Sequence, residues 1–179
     1  MAPTQNFFEL FGLPARFSLD SEELERAYRD IHAAVHPDRS THGAHGADGT
    51  EAERRVRMPR ATLVHEAYQT LQNPIKRAVY LLELRGIAPQ FETAMPADFL
   101  MQQMEWREAI GEASGSADAR ELDRMSSRLG AELKRLYAEI GVQLDERQDF
   151  HAAAETVRKL MFLEKTGHAI GEALERLDI

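Results

Sequence analysis

The stretch DSEELERAYRDIHAAVHPDR, residues 20–39, decides the fold of the first half of the chain. Its apolar side chains recur at the spacing of one helix face, which predicts an amphipathic helix. Asp20 is the predicted N-cap, and Glu23 three residues later forms a capping-box variant. Pro37 ends the helix near His36, because proline disfavours helical geometry at the residue before it. The recurring apolar residues are Leu24, Ala27, Tyr28, Ile31 and Val35.

Helical patterns also flank this stretch within residues 1–85. The first pattern stops at residues 12–14, Gly-Leu-Pro, and the dipeptide Asn-Pro at 73–74 opens the last one with proline in its favoured first position. Residues 38–49 hold three glycines and predict a loop. The predicted helices of this half span residues 6–11, 20–36, 50–71 and 74–85.

Three longer helical patterns follow in the second half of the chain. Short connections between three helices predict an antiparallel bundle. No convincing alternating strand pattern occurs, so we expect an all-α protein. Its predicted parts are a helical domain over residues 1–85, a linker over 86–96 and a three-helix bundle over 97–179. The predicted bundle helices span residues 97–112, 117–140 and 146–177.

Composition limits the possible functions. The chain has 179 residues and no cysteine, which excludes disulfides, thiol catalysis and cysteine-ligated metal centres. Its 22 Lys and Arg residues against 30 Asp and Glu residues give a formal net charge of -8, which disfavours general nucleic-acid binding. No signal peptide or membrane-length apolar run is recognisable, so we expect a cytoplasmic protein without membrane contact. No phosphate loop, nucleophile elbow or paired-carboxylate site is recognisable, so we expect neither an enzyme nor a cofactor.

The tripeptide His36-Pro37-Asp38 is the first candidate functional feature. Pro37 stiffens the turn, and His36 lies where the helix dipole favours a cation. Asp38 is free to pair with a cationic group such as arginine on a partner. A helix stop followed by a turn aspartate without function explains the tripeptide alone about equally well. The cations that accompany it are Arg26, Arg29 and Arg39.

The first bundle helix carries a second candidate surface. At about 100° per residue, Phe99, Trp106 and Ile110 fall on one side of it. The opposite side holds the apolar residues Leu100, Met101 and Met104, bordered by the carboxylates Glu105, Glu108 and Glu112. Adaptable methionines beside carboxylates suit a protein-binding patch. Packing of this patch on the N-terminal domain is an equally good interpretation of the geometry.

One phenylalanine of the last helix lies away from the predicted core stripe. Phe162 falls among charged residues instead, and such a side chain is more often covered by a neighbour than functional. The stripe itself consists of Leu160, Leu163, Ile170, Leu174 and Leu177.

Histidines offer an alternative function as a small helical metal-binding protein or metalloenzyme. Four of them cluster in the second helix and the following loop, where they could hold zinc or nickel. No HExxH signature accompanies them, so we place this alternative below a protein-binding role. The four are His32, His36, His42 and His45. A basic run, namely Arg54, Arg55, Arg57 and Arg60, is interpreted as a solvated helix face or an auxiliary contact to a protein partner rather than a nucleic-acid site.

Residues 1–85 resemble a J domain, the module that stimulates ATP hydrolysis by DnaK-type chaperones. The matching segments are FFELFGLP at 7–14, ERAYR at 25–29, HPD at 36–38 and AYQTLQNP at 67–74. The second half resembles the bundle of the HscB-type co-chaperones of iron–sulfur cluster assembly. Its matching segments are FLM at 99–101, EWRE at 105–108, AAAETVRKL at 152–160 and FLEK at 162–165.

The resemblance implies a co-chaperone with two partners and without cofactor or metal. His36, Pro37 and Asp38 would stimulate the ATPase of the chaperone HscA. The bundle would bind the cluster scaffold protein IscU. Ala34 departs from the J-domain pattern, which has a basic residue there, and this favours a dedicated chaperone partner. The implied docking cations are Arg26, Arg29 and Arg39, and the implied scaffold contacts are Leu100, Met101, Met104, Glu105, Glu108, Glu112 and Phe162. We expect a bacterial monomer.

Overall fold

The computed structural model describes residues 6–35, 51–89 and 95–177, with residues 34–35 and 51–59 as backbone only. Every regular element in these ranges is helical, as predicted. The chain divides into two compact units, residues 1–80 and 81–179. The helices are α1 (Phe7–Phe11), α2 (Ser21–Val35), α3 (Glu51–Gln72), α4 (Pro74–Glu83), α5 (Ala97–Gly115), α6 (Ala119–Gly141) and α7 (Phe150–Leu177).

Local sequence signals fix both ends of α1. Asn6 and Glu9 form a reciprocal capping box, in which each side chain accepts a hydrogen bond from the other residue's backbone N–H. Gly12 follows the helix with φ 67°, a left-handed conformation that favours glycine, and Leu13 N–H donates to the Phe8 carbonyl at 2.9 Å. Phe8 is thereby fixed in the core, where it is fully buried.

The helices α2 and α3 form an antiparallel hairpin in the first unit. The predicted N-cap is confirmed, because the Asp20 carboxylate accepts from the backbone N–H of Glu22 at 2.9 Å. Tyr28 of α2 stacks on Tyr68 of α3 with ring centroids 4.1 Å apart. The buried apolar side chains of the unit include Phe8, Phe11, Leu13, Phe17, Leu24, Val64, Ala67, Leu71, Ile75 and Ala78.

The boundary between the two units lies within α4. The Asn73 side chain caps this helix, accepting from Lys76 N–H at 2.9 Å. The division falls after Tyr80, whereas the sequence predicts a domain end at residue 85 and a linker over 86–96. Residues 90–94 of that linker lie outside the described residues, and the predicted boundaries stay a prediction.

The three helices α5, α6 and α7 form the predicted bundle around one apolar core. Trp106 of α5 is 7% exposed, and the Arg128 guanidinium lies 5.2 Å from its ring centroid. Burying a large apolar side chain stabilises a fold by about 1.5–3 kcal/mol. The core also contains Leu122, Met125, Leu129, Leu136, Ile140, Val157, Leu160, Leu163 and Ile170.

The connection between α6 and α7 differs from the prediction. The sequence predicts the last helix from residue 146, but α7 begins at Phe150. Residues 142–146 instead continue α6 as one π-helical turn, in which Arg147 N–H donates to the Val142 carbonyl at 2.9 Å. Asp149 then caps α7 through Ala152 N–H at 3.1 Å.

In the described parts of the chain, no helix is long and apolar enough to cross a membrane.

Candidate functional site

An apolar groove lies between α5 and α7 on the surface of the bundle. Its volume is about 530 Å³. Leu100 and Met104 contribute to one wall and Phe162 to the other, and their exposed fractions are 43%, 63% and 38%. Three of the predicted contact residues therefore lie together, although 58 to 62 residues separate Phe162 from the other two in sequence. Side chains of this size are costly to leave in water, which favours covering by a partner.

Two contacts hold Phe162 in place at the groove. Its ring meets the edge of the buried Phe99 ring, with centroids 6.1 Å apart and planes inclined by 79°. The Lys165 ammonium lies 5.6 Å from the Phe162 ring centroid, as a cation–π contact. The predicted position of Phe162 away from the core stripe is thus confirmed, and its exposed ring is also oriented.

A polar pair joins the two helices beneath the groove. The Thr166 hydroxyl donates to Oε1 of Gln103 across the two helices at 3.0 Å. Both residues line the groove. Gln103 and Thr166 do not stand out in the sequence, because a single polar residue on each helix gives no sign that the two meet.

The remaining predicted contact residues lie on the other side of the exposed α5 surface. Met101 is 64% exposed and lines a second, more polar groove together with Glu105. Glu108 and Glu112 are also exposed. Leu100 and Met104 therefore line the groove with Phe162, while Met101 and Glu105 line the second groove with side chains of α6 and with Lys159 of α7.

Ile110 also belongs to the groove. The sequence places it on the same side of α5 as Phe99 and Trp106. In the structure it is only half-buried, and it lines the groove with Leu100 and Met104. Its position lies at the edge of the buried face, where a small rotation of the helix decides between core and groove.

An ion-pair network on α6 borders the second groove. The Arg135 guanidinium donates to both carboxylate oxygens of Glu132, at 3.0 and 2.8 Å, and to Glu139 at 3.0 Å. The hydrogen bond from Arg135 lowers the pKa of Glu132, while partial burial opposes this shift. The network fixes the polar wall opposite Met101 and Glu105.

The predicted chaperone-facing cations of α2 are exposed in the first unit. The Arg26 guanidinium donates to the Glu22 carbonyl at 3.2 Å. Arg29 lies 3.7 Å from the Glu25 carboxylate, with side chains 70% and 54% exposed. Contacts of this kind leave both guanidinium groups available to a partner. The other predicted residues of this site, His36, Pro37, Asp38 and Arg39, lie outside the described residues.

The histidine cluster of the metal-binding alternative is described only in part. His32 lies on α2 with its ring centroid 5.4 Å from that of Tyr28. The other three histidines, His36, His42 and His45, lie outside the described residues. Over residues 6–35, 51–89 and 95–177, no group of three or more potential ligand residues could hold a metal ion.

The structure thus defines an all-helical protein of two units that carries an exposed apolar groove on its C-terminal bundle. A family model, the HscB C-terminal oligomerisation domain, matches residues 95–171. The co-chaperone protein HscB homolog of Aromatoleum aromaticum is 46% identical over 176 residues, which span 97% of this chain and 96% of the relative.

Solved structures agree with this match. Chaperone HscB from Vibrio cholerae superposes with a TM-score of 0.81 at 34% identity, covering 96% of this chain and 99% of that one. The human co-chaperone protein HscB also reaches a TM-score of 0.81, at 26% identity, covering 100% of this chain and 86% of that one. The chain belongs to the HscB co-chaperone family, and the resemblance predicted from sequence is confirmed.

Proposed function

We propose that this co-chaperone stimulates the ATPase of a dedicated DnaK-type chaperone, HscA, and delivers the iron–sulfur cluster scaffold protein IscU to it. The first unit would act on the chaperone, and the bundle would bind the scaffold. The protein would perform no chemistry of its own and would support the maturation of iron–sulfur proteins in the bacterial cytoplasm.

The observation that carries this proposal is the groove between α5 and α7. Leu100, Met104 and Phe162 converge there as exposed apolar side chains, which is uncommon on a surface without a partner. The large apolar side chains that are exposed on the described part of the bundle are few, and four of them belong to the predicted scaffold contacts. These four are Leu100, Met101, Met104 and Phe162.

The chaperone-facing end rests on α2 and the tripeptide that follows it. Arg26 and Arg29 are exposed on α2, and the sequence continues from this helix directly into His36-Pro37-Asp38. Arginine side chains form strong charge-assisted hydrogen bonds to carboxylates on a partner. We propose that these two cations and Arg39 orient the chaperone, while His36, Pro37 and Asp38 stimulate hydrolysis.

An ATPase assay with purified HscA, with and without IscU, tests both ends separately. His36→Gln should abolish stimulation of the ATPase and leave IscU binding unchanged. The triple alanine variant at Leu100, Met104 and Phe162 should weaken IscU binding at least tenfold, because three apolar contacts are lost. That variant should still stimulate HscA alone. Circular dichroism of both variants checks that the helices remain intact.

Specific results would contradict the proposal. Full stimulation by His36→Gln would show that the tripeptide is not the trigger. Unchanged IscU affinity of the triple variant would show that the groove is not the scaffold site.

Sedimentation of the purified protein tests the expected monomeric state, since the matching family model is described as an oligomerisation domain.

A further inference from the structure

Two cationic side chains lie at the apolar groove, one on each wall. Arg107 belongs to α5 and Lys165 to α7, and both are exposed. Neither was expected as a contact residue from the sequence. Their position beside Leu100, Met104 and Phe162 means that any partner covering the groove also covers two positive charges.

Neither cation has an ion-pair partner among the described residues. On a helix, side chains three or four positions apart are neighbours. Arg107 has glutamine, methionine, isoleucine and glycine at these four positions, and Lys165 has methionine, phenylalanine, histidine and alanine. Arg124 and Arg135 of α6 differ in this respect, since each has a glutamate at such a position and pairs with it.

Charge is therefore separated between the groove and the neighbouring side of α5. The groove carries the cations Arg107 of α5 and Lys165 of α7, and the neighbouring side of α5 carries Glu105, Glu108 and Glu112. None of these three carboxylates forms an ion pair within the residues that the structure describes. A surface with an apolar centre and opposite charges at its two edges can fix the orientation of a partner.

We propose that the groove binds a partner segment in which an exposed apolar side chain is flanked by a carboxylate, with Arg107 and Lys165 pairing with that carboxylate. The apolar side chain lies between Leu100, Met104 and Phe162. The three glutamates at the other edge face basic groups of the same partner, so the partner docks in one orientation. This inference rests on the proposed function, with the scaffold protein as the occupant.

The energetics favour such an arrangement. A cation at the rim of an apolar groove loses part of its water when the groove is covered, and a carboxylate on the partner compensates for this loss. A neutral or cationic partner segment would leave two positive charges without compensation. The Lys165 ammonium also lies against the Phe162 ring. A partner that covers this ring therefore meets the positive charge at the same place.

Charge reversal of the groove cations is the first test, with binding to purified IscU measured by calorimetry. Arg107→Glu and Lys165→Glu should each weaken binding roughly tenfold, because attraction becomes repulsion. Lys134→Glu is the matched control. Lys134 is exposed on α6 and lies outside the groove, so the same change in net charge should leave the affinity within about twofold of the wild type.

Carbodiimide cross-linking of the complex is the second test, because this reagent joins a lysine amine only to a carboxylate in contact with it. We expect a cross-link between Lys165 and an aspartate or glutamate of IscU, identified by mass spectrometry of the peptides. Lys165→Arg keeps the charge but removes the reactive amine. It should abolish this cross-link and retain most of the affinity.

The outcomes separate this inference from the proposed function. Suppose that alanine at Leu100 and Met104 weakens binding but both charge reversals leave it unchanged. The groove would then be the IscU site, but the proposed pairing of Arg107 and Lys165 with a carboxylate would be wrong. A reversal effect matched by Lys134→Glu would likewise overturn the inference, since it would show only a general effect of net charge. If the alanine variants also bind IscU normally, the proposed scaffold site itself is wrong.

Discussion

The Thr166 hydroxyl of α7 lies 3.0 Å from Oε1 of Gln103 on α5, and this contact joins residues 63 positions apart. The same hydroxyl lies 3.2 Å from the Phe162 carbonyl within α7. Nε2 of Gln103 is buried without a hydrogen-bond partner among the described residues. The pair therefore links the two walls of the groove, and it does so with one amide group incompletely satisfied.

Replacing Thr166 with valine removes this link while keeping a side chain of the same shape. We expect the free energy of unfolding to fall by about 1–2 kcal/mol, because the Gln103 amide loses its remaining hydrogen bond. Urea denaturation measures the change. The double variant with Gln103→Leu should be more stable than the sum of the single changes, since both polar partners are then gone. Additive losses would show that the two residues are not coupled.

Two glycines of α7 offer a matched test of packing. A Cβ at Gly171 meets nothing within 4 Å, so Gly171→Ala should raise the free energy of unfolding by about 0.5–1 kcal/mol through helix propensity. A Cβ at Gly167 lies 3.3 Å from Cδ2 of Leu129 on α6. Gly167→Ala should therefore stabilise less, because Leu129 must shift. Thermal unfolding of both variants checks this, and equal stabilisation would contradict the close approach.

Local signals in the sequence predicted the capped starts of α2 and α4 well, and contacts between helices poorly. Asp20 and Asn73 act through hydrogen bonds within three residues, so their roles follow from sequence spacing alone. The π-helical turn at Val142–Glu146 has no comparable signal, because its side chains also suit an α-helix. Ile110 lies at the edge of a helix face, where the position of the neighbouring helix determines its burial.

The candidate groove was predictable only in part, because its two walls belong to different helices. Helical period places Leu100, Met101 and Met104 on the side of α5 opposite Phe99 and Trp106 and leaves open whether they are covered. In the structure all three are exposed. The meeting of Met104 with Phe162 depends on how α5 packs against α7, which the pattern of a single helix does not determine. Arg107 and Lys165 carry no signal of their own, since isolated cations are common on helix surfaces.

Acid should weaken the bundle partly through Glu132. Hydrogen bonding to Arg135 lowers the pKa of Glu132 below the ordinary value of a glutamate side chain. A carboxyl group whose pKa is lowered by folding contributes stability above the pKa of the unfolded chain, and this stability is lost as the pH falls through the lower, folded-state pKa. Glu132→Gln should therefore lose less stability than the wild type between pH 7 and pH 3.

Urea denaturation at several pH values measures this difference. Arg135→Gln should reduce the pH dependence in the same direction, because it removes the donor that favours the charged carboxylate. A Glu132→Gln variant with the full acid sensitivity of the wild type would show that the pair does not contribute. Raised salt should change the result little if the bidentate hydrogen bonds dominate over simple charge attraction.

Reversing the charges of Arg26 and Arg29 should separate chaperone docking from scaffold binding. Both side chains are exposed and contact only their own helix in the described part of the chain. The free energy of unfolding of the double glutamate variant should therefore lie within about 1 kcal/mol of the wild-type value. We expect it to need roughly tenfold more protein for half-maximal stimulation of the HscA ATPase, because two attractive charges become repulsive. Its affinity for IscU should not change.

Lys76→Glu is the control for that variant, because Lys76 is an exposed cation of the same unit on α4. A similar loss with Lys76→Glu would mean that HscA senses only the total charge of the unit. Full stimulation by the Arg26 and Arg29 double variant would place the docking surface elsewhere. A selective loss at α2 would instead locate docking on the helix that leads into His36-Pro37-Asp38, so that the charges hold the chaperone where the tripeptide can act.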